Sequence, residues 1–188
     1  METQVKVKGS GIGYTKEYIV KKYGKETMDR IVLLLPADAA ATVQNAIPSA
    51  WYPIEHMGHL TDAIKRVVGA KERYAVFEIS RQSAKATFSR LYRIFFKLGN
   101  PSFIMDRVAS VWKNMASEGD LIVVERGDKF VVVRLSNFTY RHPDYCGHRL
   151  RGWFHAVLEL SGCEITKSKH TKCTSNNDPH CEWRFEWK

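Results

Sequence analysis

Cysteine is scarce in this chain, with four among 188 residues. So thin a set, behind an opening M-E-T-Q-V-K-V-K that lacks an apolar core, argues against the disulfide framework of a secreted protein. Long apolar runs are lacking too. The best candidate, Ile31 to Leu35, stops at Pro36, far short of the ~20 residues that a membrane helix needs. These two absences lead us to expect a cytoplasmic protein. The common catalytic signatures are missing as well: there is no G-x-S-x-G, no phosphate-binding loop and no dinucleotide fingerprint. We therefore do not expect an enzyme. No internal repeat or low-complexity segment interrupts the chain.

What is present fits one globular unit of ordinary size. Hydrophobic residues make up 44% and charged residues 26%, enough apolar material for a core without staples. The formal charge is +9 and the pI is near 9.4. A basic balance of this size favours anionic partners such as nucleic acid or an acidic protein.

Periodicity supplies the elements. Gln4 to Lys8 reads as a short strand. The glycines of K-G-S-G-I-G mark a flexible or turning start, after which Thr15 caps a short helix that Gly24 ends. Met28, Ile31, Val32 and Leu35 fall at helical spacing, and Ala37 to Ile47 can form another helical piece. Pro48 to Pro53 reads as a hinge with two aromatics. Ile54, Met57, Leu60, Ile64, Val67 and Val68 make an amphipathic stripe that ends at Gly69. The longest helix is expected over Tyr74 to Leu98, and a further one over Ser102 to Ala116.

The period then changes from helix to strand. Leu121 to Val124 and Lys129 to Leu135, joined by E-R-G-D, predict a β-hairpin. A helix follows from Cys146 to Gly162. Two more strands, Glu164 to Lys172 and Glu182 to Trp187, close the chain. Helices followed by strands in this order predict an α+β fold, with helices packed on a four-stranded antiparallel sheet. Residues 1–73 read as an N-terminal helical extension, and 74–188 as the core it packs on.

All four cysteines and four of the seven histidines lie between Cys146 and Cys181. Cys146 opens an apolar helical run. His170-x-x-Cys173 and Cys181 flank the turn-rich link T-S-N-N-D-P-H. This arrangement can bring one ligand from a helix and three from a hairpin to one point. Thiolate and imidazole donors suit Zn2+, and four protein ligands leave no open position, which describes a structural site. The expected ligands are Cys146, His170, Cys173 and Cys181, with His180 as the substitute for a histidine ligand. Cys163 reads as a small buried apolar residue. The plain alternative is a set of ordinary buried thiols. A haem role for His142, His148 or His155 has no supporting pattern.

The helix–hairpin–helix–hairpin order, R-L-R-G-W-F-H-A-V-L-E-L-S-G and C-T-S-N-N-D-P-H-C-E-W-R-F-E-W together resemble the 4-vinyl reductase domain family. That family belongs to a wider ligand-binding fold shared with haem-nitric-oxide-binding-associated proteins and one class of TRAPP trafficking subunits. The sensor domains of phenol-responsive bacterial activators are similar in fold. They hold zinc with a Cys before the last helix, an acid-x-x-Cys and a further Cys eight residues on. The resemblance sets Cys146, His170, Cys173 and Cys181 at these positions, with His170 in place of the acid. The N-terminal part, with S-A-W-Y-P and G-S-G-I-G, resembles a poorly characterised group of deltaproteobacterial proteins.

The resemblance implies a non-enzymatic module that senses a small molecule or lipid, commonly as a homodimer, and signals through a protein partner. Tyr92, Phe95, Trp112 and Trp153 are candidate pocket residues, and for each one alone plain core is the simpler reading. A second reading rests on charge: Arg81, Lys85, Arg90, Arg93 and Lys97 recur along one helix and could track a phosphate backbone. With no stacking aromatics among them, a solvated face is the plainer account.

Overall fold

The computed structural model describes residues 4–88 and 101–188, and for 101–103 the backbone alone. Labels below run over these residues only. β1 (Lys6–Lys8) pairs antiparallel with β2 (Trp51–Pro53). Between them lie α1 (Gly9–Tyr23), α2 (Lys25–Val32) and α3 (Ala37–Asn45). α4 (Ile54–Val67), α5 (Ala75–Thr87) and α6 (Pro101–Trp112) follow. The C-terminal part is β3 (Asp120–Gly127), β4 (Phe130–Ser136), a π-helical turn Tyr145–Leu150, α7 (Arg151–Leu160), β5 (Ile165–Lys172) and β6 (Cys181–Trp187). The α+β architecture matches expectation, with an antiparallel four-stranded sheet in the order β3-β4-β6-β5.

Alternation decides which face of that sheet is covered. Val131, Val133 and Leu135 of β4 are buried, as are Cys181, Trp183 and Phe185 of β6, and the register sets Val133 opposite Trp183 and Leu135 opposite Cys181. A row of large apolar side chains on one face must be covered, and α7 covers it: the Phe154 ring lies 5.1 Å from Trp183 and 6.1 Å from Phe185. On the other face, Arg184 and Glu186 pair with each other at 2.8 Å.

Several local expectations are corrected. The opening glycines are not a loose start: α1 begins at Gly9 and runs through Gly11 and Gly13. A Cβ on Gly9 would collide with the Ile47 carbonyl and stand 2.7 Å from the Tyr52 ring. Tertiary packing thus overrides the weak helix propensity of glycine. Thr15 does not cap the helix. It sits in the second turn at the spacing of Ile12 and Ile19, fully buried, and donates to the Gly11 carbonyl at 2.7 Å. The 48–53 segment is no free hinge, because β2 ties it to β1. β1 also bonds the chain after α6, with Lys8 N to Met115 O at 3.0 Å and Ser117 N to Lys6 O at 2.9 Å. The expected helix over 74–98 ends at Thr87, where Phe88 turns to φ −76°, ψ 82°. The rest of that expected helix lies outside the described residues.

Candidate metal centre and buried cavity

Three chain segments deliver the sulfurs. Cys146 sits in the π-helical turn, a wider coil than an α-helix and one that recurs at functional sites. Two carbonyls of this turn accept side-chain donors from elsewhere in the fold: Trp183 Nε1 bonds Cys146 O at 3.1 Å, and Ser80 Oγ bonds Arg149 O at 2.7 Å. Cys173 follows β5, whose pairing with β6 carries a bulge between His170 and Lys172. Bulges re-aim the residues beside them. Cys181 opens β6.

The link between Cys173 and Cys181 folds back on itself. Asp178 Oδ2 accepts from Cys173 N at 2.7 Å, the Asn176 and Asp178 amides donate to Cys173 O at 2.8 and 3.2 Å, and Asn177 takes the left-handed conformation at φ 65°. Asparagine tolerates that conformation, so the link closes without glycine. Thr174 N then donates to Cys181 Sγ at 3.5 Å.

The Sγ atoms of Cys146, Cys173 and Cys181 all lie within 4.8 Å of one another, and all three residues are buried. Bonds of ~2.3 Å at tetrahedral angles set sulfurs ~3.8 Å apart, so little movement would seat an ion. No disulfide joins them. Cys181 is the thiol readiest to ionise: hydrogen bonds from the Cys146 thiol, the His170 ring and Thr174 outweigh its desolvation. Cys146 is pushed the other way by its bond to Cys181 and by burial.

His170 does not fall within 4.8 Å of all three sulfurs, yet its ring reaches Cys181. It stacks on Trp183 at 5.0 Å and 13°, and its Nε2 is buried without a hydrogen-bond partner. His180 turns toward Glu182, with Nε2 3.5 Å from Oε2. Cys163 is buried beside Ser161 Oγ at 3.5 Å, apart from the other three.

The second feature is a cavity, two of whose lining residues are candidate pocket residues of the sequence reading. A cavity of about 70 Å³ lies where α1, α5, α6 and the π-turn meet. Trp112 and Trp153 line it, their rings 6.4 Å apart; Tyr92 and Phe95 lie outside the described residues. Of the basic stripe, Arg81 bonds Glu159 at 2.6 Å and Lys85 bonds it at 2.9 Å. Arg90, Arg93 and Lys97 lie outside the described residues.

Neither a known protein-family profile nor a curated protein matches the chain. Solved structures do. An H-NOX protein from S. oneidensis in the Fe(II)NO ligation state superposes with TM-score 0.70, at 13% identity, over 96% of this chain and 99% of the other. The chain has the H-NOX fold. Unliganded Fe(II) H-NOX from K. algicida gives TM-score 0.65 at 13% identity, over 96% of both chains. A structure bearing on haem distortion in the H-NOX family gives 0.67 at 15%, over 96% of this chain and 95% of the other. These neighbours are H-NOX domains and not 4-vinyl reductase domains. Among the described residues no helix is long and apolar enough to cross a membrane.

Proposed function

We propose that this chain is a non-catalytic module that senses a small molecule, stiffened by a structural zinc. The observation that carries the metal is the convergence of three buried sulfurs from the π-turn, the end of β5 and the start of β6. Cys146, Cys173 and Cys181 supply thiolates, and His170, whose ring reaches Cys181 and whose Nε2 is buried without a hydrogen-bond partner, supplies the fourth donor. Four protein ligands leave no position for a substrate, so the ion's contribution is to fix α7 against the last hairpin. The sensing part rests on the cavity between helices, with the H-NOX fold and the resemblance to 4-vinyl reductase domains as support. On this reading the module signals through a protein partner or its own homodimer.

Haem, which the H-NOX neighbours bring to mind, does not fit these residues. The cavity is about 70 Å³ and is lined by no histidine or cysteine, whereas pockets for ligands of that size run to several hundred Å³. Three histidines are drawn to partners away from the cavity: His56 to Thr42 and Asp38, His142 to Tyr145 N, and His155 to within 3.4 Å of Glu159.

Metal analysis of the purified full chain tests the reading. One zinc per chain is expected, with Cys173→Ser losing it and melting lower. His170→Ala should weaken zinc where His180→Ala does not. Metal-free protein whose melting is untouched by Cys173→Ser overturns the zinc assignment.

A further inference from the structure

Arg149 is 6% exposed and lines the cavity. Its Nη2 donates to Thr15 Oγ1 at 2.6 Å, while Nη1 is buried with no hydrogen-bond partner. Among the described residues no carboxylate pairs with it; outside them, residues 89–100 contain no acid and residues 1–3 contain Glu2. A buried guanidinium without a counter-charge costs several kcal/mol. A chain that keeps such a group at the edge of a cavity has a reason outside its own covalent structure.

The lining narrows what that reason is. Ser80, Ser83 and Thr87 already donate their hydroxyl hydrogens to the Arg149, Ile79 and Ser83 carbonyls. Lys8, the other cation of the lining, is turned to Ser49 O at 2.8 Å and over the Trp51 ring. The guanidinium is thus the cavity's unengaged cationic donor, and Trp112, Trp153 and Met57 form apolar wall around it. A single planar fork favours a planar two-oxygen anion. One guanidinium is too little for a phosphate dianion, and apolar walls suit a short alkyl group. An engineered apolar cavity of ~150 Å³ takes benzene, so about 70 Å³ holds only a few heavy atoms.

We propose that this cavity binds a small monocarboxylate, its two oxygens on the Arg149 guanidinium and its alkyl group against Trp112 and Trp153. The proposal rests on the sensing reading and names the ligand class for it. It replaces the haem of the structural neighbours with a ligand smaller by an order of magnitude.

The test uses the zinc-loaded full chain and sodium acetate as probe, against sodium chloride at equal ionic strength. Acetate should raise the melting temperature and give a saturable calorimetric isotherm, and chloride should not. Hexanoate, too long for the cavity, should bind at least ~10-fold more weakly, since each misplaced methylene costs about a kcal/mol. Arg149→Met should weaken acetate binding at least ~100-fold, the loss of a charged bidentate contact. Ala84→Leu, which fills the cavity while leaving Arg149 in place, should also abolish it. No acetate response in the wild type, an equal response to chloride, or a response that survives both substitutions overturns the proposal. So does stoichiometric uptake of hemin with a Soret band, although that result leaves the sensing reading standing. Loss of zinc on purification, by contrast, strikes the metal assignment and leaves the acetate result to be read separately.

Discussion

The crossing of α5 and α7 is the tightest test of this structure. Gly152 sits in the first turn of α7 and is buried. A Cβ placed there would fall against the Phe77 carbonyl oxygen of α5 and stand 3.2 Å from the Arg81 amide nitrogen. Both are backbone atoms and cannot swing aside as a side-chain tip would. Gly152→Ala therefore forces the helices apart. Replacing glycine by alanine inside a helix ordinarily gains ~1 kcal/mol of propensity, while overpacking a close contact costs ~1–3 kcal/mol. Here the intruding methyl meets rigid backbone, so the upper end of that range applies and the net loss is ~1–2 kcal/mol. For a chain of this size each kcal/mol moves the melting temperature by ~2–4 °C, so a fall of ~2–8 °C is expected.

The consequence reaches the cavity, because Ser80, Ser83 and Ala84 of α5 face Trp153 of α7 across it. Spreading the helices lengthens the Ser80 hydroxyl bond to the Arg149 carbonyl, now 2.7 Å. Thermal denaturation of wild type, Gly152→Ala and, as a control, Gly13→Ala separates the two contributions. Gly13 also lies in a helix, but a Cβ there meets nothing within 4 Å, so Gly13→Ala should hold or raise stability. A Gly152→Ala protein as stable as wild type would refute the close crossing.

Two further outcomes follow from buried polar contacts. Trp183→Phe leaves the Cys146 carbonyl without its donor and opens a void beneath His170; a loss of ~2–4 kcal/mol is expected by denaturant unfolding, together with weaker zinc retention in a chelator competition. Arg81 holds Glu78 below its ordinary range against the pull of desolvation, and burial of Glu159 is outweighed by Lys85 and Arg81. Both folded carboxylates thus lie below their unfolded values, so their contribution is complete above the ordinary carboxylate pKa and is lost as pH falls through the folded values. Melting temperature followed from pH 6 to pH 3 should drop less steeply in Arg81→Met than in wild type, by ~1 kcal/mol at most for groups this accessible; parallel curves would contradict the pairing.

The cysteine constellation was legible because its chemistry is local. His170, Cys173 and Cys181 fall on a hairpin whose strands announce themselves by alternation, and Cys146 precedes an apolar helix that must cover that hairpin's buried face. Once Trp183 and Phe185 are assigned inward, Cys181 follows at period two, and register carries it to Leu135. The sheet needed nothing more, since each strand pattern has one solution with the apolar face covered. What the sequence hid depends on contacts across long separations. Thr15 reads as a cap beside glycines, and the close approach of Gly9 to Ile47 and Tyr52, which fits that glycine into the helix, is not visible in the sequence. Arg149 carries no signal in the sequence that sets it apart from the other cations. The extra residue of the π-turn, invisible to a 3.6-residue period, rotates it inward toward Thr15, on an element far away in the chain. The same turn that presents Cys146 to the sulfur cluster also commits Arg149 to the cavity. An ion that fixes the turn would therefore fix the guanidinium, and a ligand that draws on the guanidinium would pull on the same coil that holds the sulfur. If the metal site and the cavity communicate, the six residues between Tyr145 and Leu150 are the connection, with no longer pathway required.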